Sequence, residues 1–431
     1  MIYGGTSICR PVNGEPGIAK RDGPAPDSVE WLCSAAAVRE RCARLYAAAL
    51  AGDTPHFRVD EKRIDTCVDL VAEITLENYP DLDVPYHSRW RHFCVAGVDH
   101  WAGLRDAHPD LEGAELARVG IDLAFVSVLL DAGAGGHWRY RSTKTATAVA
   151  RSEGLALASF DMFENGAFSS QPRAPLQADA KALQGLSETT LAAGFQSTPD
   201  NPLLGVAGRC EILRRLGDAL PAVFPEAAGA NPRIGYLFDV LQARSDDGRL
   251  AASAILDEIL RCFVSIWPNA QRCGDTLVGD VGKHTSLREG DVTHGLVPFH
   301  KLSQWLAYSL VEPLEWAGIE VYALDALTGL AEYRNGGLLI DTGVLRARDT
   351  QLYATALPVY SEPVVEWRAL TVALLDEIAR GMRARLRLSE HELPLAKVLQ
   401  GGTWTAGRRV AGERRRDAAP PIRLVSDGTV F

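Results

Sequence analysis

The sequence predicts a mainly α protein with small β elements, for three reasons. Apolar residues recur at helical spacing in several long segments, whereas few segments alternate as strands do. Ser, Asp, Pro and Gly stand where many of these segments would begin or end. Apolar residues make up 47% of the 431 residues, enough for a sizeable core. We therefore expect a single large helical body over residues 28–400.

The predicted helices follow one another along this body, most with a start or stop signal. They cover residues 28–51, a segment capped by Asp60, 114–131, 151–163, 205–220, the stripe Ile255–Phe263, a segment from Phe299 to Leu310, 363–387 and 389–399. Pro363 suits a helix start, and Ser389 with Glu392 forms a capping box. Gly401 and Gly402 are expected to end the last helix.

The two ends differ from the body in composition. Residues 1–27 are rich in Gly, Pro and charge, and we expect a disordered N-terminal extension. Residues 401–431 are basic and then rich in Pro, and we expect a C-terminal tail packed on the body.

Composition argues against several functional classes. The chain has 45 Lys and Arg against 55 Asp and Glu, a net charge of -10, which disfavours nucleic acid and anionic membranes as partners. No apolar run reaches the length of a membrane span. The eight cysteines form no C-x-x-C pair and indicate a reducing cytoplasm. We expect a cytoplasmic protein whose partner is a small molecule, with the oligomeric state open.

Residues 282–343 place polar side chains inside apolar, structured sequence. The predicted helix after Phe299 has three polar residues at or near its first turn, namely His300, Lys301 and Gln304. A cation there opposes the helix dipole, so stability alone does not explain Lys301. Glu332 and Arg334 precede the strand-like LLID, and a Glu-x-Arg pair entering a strand shares one face. That face holds either a buried ion pair or a ligand.

Two further segments carry candidate site residues. Asp131 lies near a helix C-terminus, where the dipole disfavours a carboxylate, so a pocket residue and a solvated turn are equally good interpretations. Gly133–Arg141 suggests a dinucleotide loop, but Trp138 stands at the third fingerprint position, which excludes it. In HSRWRHF, His87, Arg89 and Arg91 suit a phosphate or carboxylate. The alternative there is an amphipathic helix with Trp90 and Phe93 in the core and arginines outside.

No cofactor or metal site is expected. Lys283, His284 and His294 flank an acidic loop, but their spacing fits no standard zinc pattern. A loop over a site, or a plain surface loop, is the better interpretation. No G-x-S-x-G elbow or P-loop occurs either.

Five separated blocks in the same order resemble the uracil catabolism protein 4 family of fungi and bacteria. They are VPYHSRWRHF, RSEGLALASFDMF, FHKLSQWLAYSL, LTGLAEYRNGGLLIDTGVL and the terminal SDGTVF, and the similarity runs from about residue 31 to the C-terminus. One such helix has Ala307 where Thr is expected. A fainter likeness links the chain to queuosine salvage N-glycosidases, which are helical and have a DNA-glycosylase-like fold. There an acidic residue stands roughly where His300 and Lys301 stand here.

The resemblance implies hydrolysis of the N-glycosidic bond of ribosylurea or its 5′-phosphate, which frees urea during uracil catabolism. In such a reaction a carboxylate stabilises an oxocarbenium-like state or activates water, and an acid protonates the leaving nitrogen. We expect Asp131 or Glu332 as the carboxylate, and Arg334, Lys301 and His300 as substrate-binding or acidic groups. The other expected substrate-binding residues are Gln304, Trp138, Arg89, Arg91 and His87. Two alternatives are a hydrolase acting earlier on the opened pyrimidine ring and a non-catalytic helical protein that binds pathway intermediates.

Overall fold

The computed structural model describes residues 28–142, 144 and 147–425, and it confirms the mainly α prediction. The predicted disordered extension and the terminal SDGTVF lie outside the described residues. The α-helices are α1 Ala35–Ala51, α2 Ile64–Asn78, α3 His100–Ala107, α4 Gly113–Leu129, α5 Arg151–Glu164, α6 Ala180–Gln184, α7 Glu188–Gly194, α8 Val206–Val223, α9 Leu237–Arg244, α10 Ala252–Phe263, α11 Lys301–Trp316, α12 Tyr333–Asp341, α13 Glu362–Leu386, α14 Leu395–Val398 and α15 Trp404–Arg414.

The strands are short and form two-stranded pairs. They are β1 Phe57–Val59, β2 Cys94–Val95, β3 Val98–Asp99, β4 Tyr140–Arg141, β5 Ala148–Val149, β6 Arg249–Ala251, β7 Gln271–Cys273, β8 Thr276–Gly279, β9 Val281–Lys283, β10 Leu296–Pro298, β11 Glu320–Tyr322, β12 Leu345–Ala347, β13 Ala356–Pro358 and β14 Arg423–Val425. Antiparallel pairs join β1 to β12, β2 to β3, β4 to β5, β7 to β8 and β9 to β10. The pairs β6–β11 and β13–β14 are parallel. In the described chain these pairs stay separate and form no larger sheet.

Helices α4 and α11 pack against each other at the centre of the body. Both are buried on nearly every side, as expected of helices that are apolar all round. On another side, α1 and α2 both pack on the long helix α13. No helix in the described ranges combines the length and apolar character needed to cross a membrane.

The strand predicted at LLID is wrong, because these residues belong to α12. Glu332 is the N-cap of this helix, and its carboxylate accepts from the backbone N–H groups of Arg334 at 2.7 Å and Asn335 at 2.6 Å. A carboxylate at this position satisfies donors that the first helical turn leaves free. The helix therefore starts where the sequence pattern was taken to enter a strand.

The end predicted at Gly401 and Gly402 is also wrong. The chain continues through a π-helical turn, Leu399–Thr403, directly into α15. A Cβ atom on Gly402 would lie 2.5 Å from Cγ1 of Val71, so this glycine lets the turn pack closely on α2. Residues 401–414 are therefore part of the helical body.

Two helix starts differ from the prediction. Helix α1 begins at Ala35, where Ser34 accepts from the Ala37 N–H, after a separate 3₁₀ turn at Glu30–Cys33. Ser389 and Glu392 do bond to each other, but they close a turn. Helix α14 begins only after Pro394, because a proline disfavours helical conformation in the residue before it.

Candidate functional site

A buried carboxylate lies just after the C-terminus of α4. Asp131 Oδ2 is 3.3 Å from Nη1 of Arg89, and the side chains are 7% and 0% exposed. Oδ1 of Asp131 is buried and has no hydrogen-bond partner among the described residues. The solvated-turn interpretation of Asp131 is therefore wrong, and one of its oxygens remains available for a ligand.

Arg89 is held by groups from two helices. Its Nε donates to Oγ of Ser127 in α4 at 2.7 Å, and its Nη1 lies 3.4 Å from the carbonyl oxygen of Ser152 in α5. The amphipathic alternative, with arginines outside, is wrong for this residue. It is correct for Trp90 and Phe93, which are buried in a short 3₁₀ helix. Trp90 donates its indole N–H to the carbonyl oxygen of Ser309 at 2.8 Å.

Lys301, the first residue of α11, lies in the electrostatic field of both candidate carboxylates. Burial lowers the pKa of Lys301, whereas the negative charges of Glu332 and Asp131 oppose this change. Burial also raises the pKa of Glu332, and the two N–H groups that it caps and Lys301 oppose that rise. Asp131, Glu332, Arg89 and the half-buried Lys301 thus form one group of interacting charges.

An aromatic cluster of Trp305, His92 and His87 lies beside these charges. Trp305, one turn along α11 from Lys301, lies with its ring 5.5 Å from the Arg89 guanidinium carbon. The rings of His92 and His87 are 5.7 Å and 6.4 Å from the Trp305 ring. Burial, followed by the charges of Arg89 and neighbouring groups, holds the pKa of His92 well below 6.5. Burial also lowers the pKa of His87, against the effect of its bond to Gln400. Both imidazoles are therefore neutral near pH 7.

Several buried polar atoms on these elements have no partner among the described residues. They are Nη2 of Arg89, Oδ1 of Asp131, Nε1 of Trp305, Oδ1 of Asn335 and Oγ1 of Thr403. Leaving a buried polar group unpaired costs roughly 1–3 kcal/mol, so natural proteins rarely keep several on adjoining elements without a use. Donors and acceptors of this kind suit a polar ligand with both N–H and hydroxyl groups.

Other predicted site residues make contacts outside this set. His300 Nε2 bonds to the carbonyl oxygen of Leu32 at 2.7 Å, and its Nδ1 has no partner in the described chain. Both amide atoms of Gln304 bond to Thr328. Trp138 is fully buried and donates to the carbonyl oxygen of Phe195. These contacts hold the fold together, and any role of these residues toward a substrate stays a prediction.

Arg91 and Arg334 also point to other partners. Arg91 pairs with Glu312 at 2.5 Å. Nη1 of Arg334 donates to the carbonyl oxygen of Ala418 at 2.8 Å, and no ion pair joins it to Glu332 in the described chain. The ion-pair interpretation of the Glu-x-Arg pair is therefore wrong, because Glu332 caps α12 and Arg334 bonds to Ala418. Contact of these residues with a ligand stays a prediction.

The acidic loop after β9 is anchored by one of its histidines. His284 is fully buried and bonds through Nε2 to Oε2 of Glu366 at 3.0 Å, so a plain surface loop is not the correct description there. Among the described residues, no three His, Cys, Asp or Glu side chains are grouped as a metal site.

Sequence reasoning missed several residues of the assembled set. Trp305 is not among the predicted site residues, since nothing in a sequence shows that an indole N–H will lack a partner. His92 is not among them either, although Arg89 and Arg91 of the same segment are. Asn335 and Thr403 depend on helix α12 and on the π-helical turn, and the sequence pattern predicted neither.

The chain matches known proteins over nearly its whole length. A family model described as a protein of unknown function, DUF1688, matches residues 31–431. "Protein urg3" of Schizosaccharomyces pombe is 37% identical over 413 residues, covering 94% of this chain and 99% of that protein. "Uracil catabolism protein 4" of Lachancea kluyveri is 34% identical over 446 residues, with the same two coverages. The family resemblance drawn from the sequence is confirmed.

Proposed function

This chain belongs to the DUF1688 family, and we propose that it acts in uracil degradation by hydrolysing the N-glycosidic bond of ribosylurea or its 5′-phosphate. The name of the relative from Lachancea kluyveri supports the place in uracil catabolism. The main support for this reaction type is the buried carboxylate of Asp131. One of its oxygens lies beside Arg89, and the other has no hydrogen-bond partner in the described chain.

Asp131 suits the carboxylate role in such a hydrolysis. As the C–N bond breaks, positive charge develops on the ribosyl carbon, and a nearby carboxylate stabilises it strongly in a buried site. The same carboxylate accepts a proton from the attacking water, whose oxygen joins the ribosyl carbon. The guanidinium of Arg89, 3.3 Å from Asp131 Oδ2, supplies the counter-charge of this carboxylate.

Lys301 suits the acid. Its pKa is lowered by burial, and proton transfer is most effective when the pKa of the acid is near the working pH. The departing urea nitrogen takes this proton as the bond to the ribosyl carbon breaks. Glu332 acts as a positioning residue, because its negative charge stabilises the protonated form of Lys301.

The direct test is to incubate the purified protein with ribosylurea and with ribosylurea 5′-phosphate and to measure free urea and free sugar. Hydrolysis is expected to release the two products in equal amounts. Release from either compound supports the proposal. A folded protein that is thermally stabilised by these compounds but releases no urea would instead be a binding protein. Turnover of an opened pyrimidine, but of neither ribosylurea, would place the enzyme at an earlier step.

A further inference from the structure

The N-terminus of α5 reaches the candidate site without a side-chain cap. The helix begins at Arg151, and its N-cap is Ala150, whose side chain makes no cap hydrogen bond. Arg151 has a φ of 55°, in the left-handed region, and the residues after it are helical. Backbone N–H groups around such a turn converge, and the helix dipole adds positive potential. Helix starts of this form favour phosphate groups.

A buried guanidinium supplies an independent reason for a ligand here. Arg89 approaches the first turn of α5, with Nη1 at 3.4 Å from the carbonyl oxygen of Ser152. The Nη2 atom of the same planar group is buried and has no partner in the described chain. Because a guanidinium offers its N–H groups in a fixed fork, Nη2 can serve an anion at this helix end while Nη1 stays beside Asp131.

Further arginines stand around this helix end. Arg151 is exposed. Burial raises the pKa of Tyr333, and the positive charges of Arg334 and Arg151 oppose that rise. Arg408 lies 3.4 Å from Glu153 and 5.6 Å from the Trp404 ring, so the one carboxylate in the first turn of α5 has its own counter-charge. An anion at the rim therefore meets more positive than negative charge.

We propose that the first turn of α5, with Arg151 and Arg89, binds the 5′-phosphate of the substrate, so that the phosphorylated ribosylurea is the preferred substrate. This inference rests on the N-glycosidase function proposed above. The deeper carboxylates of Asp131 and Glu332 have Arg89 and Lys301 as counter-charges. A phosphate between the exposed Arg151 and the buried Nη2 of Arg89 loses water mainly on the Arg89 side, where the guanidinium charge offsets part of that cost.

The kinetic test compares kcat/KM for ribosylurea and its 5′-phosphate in the wild type, in Arg151→Gln and in Arg105→Gln. Arg105 is an exposed arginine on α3 and serves as the matched control. The wild type is expected to prefer the phosphate about tenfold or more, and Arg151→Gln is expected to lose most of that preference, as a charged hydrogen bond is worth roughly 1.5–3 kcal/mol. Arg105→Gln keeps the preference. Equal values for the two substrates in the wild type would overturn the inference and leave the proposed reaction standing.

Calorimetric titration separates this inference from the reaction itself. Ribose 5-phosphate is expected to bind the wild type measurably more tightly than ribose, and Arg151→Gln is expected to reduce the difference. If the wild type releases no urea from either compound, the proposed function fails. The phosphate site can then still be tested by this titration, because it measures binding and not turnover. Equal binding of ribose and ribose 5-phosphate would refute the site.

Discussion

The carboxylate of Asp131 lies 3.3 Å from the guanidinium of Arg89, in a part of the body where neither side chain is more than 7% exposed. Taking two charges out of water costs several kcal/mol per ion, which their mutual attraction repays only in part. The buried Glu332 and the half-buried Lys301 also carry opposite charges, and Lys301 interacts electrostatically with both Glu332 and Asp131. The concentration of buried charge between α4, α11 and α12 is difficult to explain by stability and is typical of a reaction site.

Asp131→Asn tests the central carboxylate. We expect urea release to fall by about 10²-fold or more, because the amide cannot stabilise positive charge or take the proton of water. The matched control is Asp161→Asn, which changes another largely buried carboxylate, bonded to Tyr140 at 2.7 Å, away from the assembled charges. Equal activity of Asp131→Asn and wild type, with both folded by circular dichroism, would exclude Asp131 from catalysis.

Removing Arg89 leaves the Asp131 charge uncompensated. Arg89→Met is expected to lower the free energy of unfolding by about 3–5 kcal/mol, as is usual when one partner of a buried pair is removed. Adding Asp131→Asn removes the remaining charge and is expected to restore part of the loss. Guanidinium denaturation of the two single variants and the double variant measures this coupling. Additive effects would show that the two groups do not act as a pair.

Trp305→Phe distinguishes a ligand-binding indole from a structural one. The Trp305 Nε1 atom has no partner in the described chain, so its removal breaks no internal hydrogen bond. We expect little change in stability and a fall in kcat/KM of about tenfold, the value of one hydrogen bond to substrate. Trp90→Phe is the opposite case. It loses the 2.8 Å bond to the Ser309 carbonyl and is expected to cost about 1–3 kcal/mol of stability. A stability loss at Trp305 equal to that at Trp90 would contradict the assignment.

The histidines near the site predict a dependence of stability on pH. Burial lowers the folded-state pKa of His87 and His92 below 6.5, the value expected in the unfolded chain. The unfolded chain therefore takes up protons first as the pH falls. The stability that these residues give is complete above pH 6.5 and is lost as the pH drops from there toward the folded-state pKa values. Within that window, each histidine contributes at most about 1.4 kcal/mol per pH unit to the slope of the unfolding free energy against pH.

Guanidinium denaturation between pH 7 and pH 5.5 measures this slope. We expect His92→Gln to make the slope smaller, because one of the titrating groups is removed. His137→Gln, at an exposed position, is the control and should leave the slope unchanged. A slope that His92→Gln does not alter would mean that this imidazole titrates alike in both states.

The helical class, the family and the approximate ranges of α4, α5, α8, α10 and α13 could be predicted from the sequence, because apolar spacing and ordered sequence blocks are local properties. The errors arose where a residue acts through a distant or unexpected partner. Glu332 was taken to enter a strand because its role as a cap depends on the N–H groups of α12. Gly402 was taken as a helix end because its use, close packing on Val71, depends on a contact with α2. The partnership of Arg89 and Asp131 joins two segments that no local pattern connects.

Glu332→Gln tests whether this residue acts through Lys301. The charge of Glu332 raises the pKa of Lys301, so the neutral amide should lower that pKa further. If Lys301 is the acid, activity is lost when it deprotonates. The alkaline limb of the pH–rate profile should therefore move to lower pH in the variant. The amide oxygen can accept from only one of the two N–H groups that Glu332 caps, so some stability is lost, but a loss of folding alone would lower the rate without moving this limb. Full turnover with an unshifted profile would remove Glu332 from the mechanism and leave it as a helix cap.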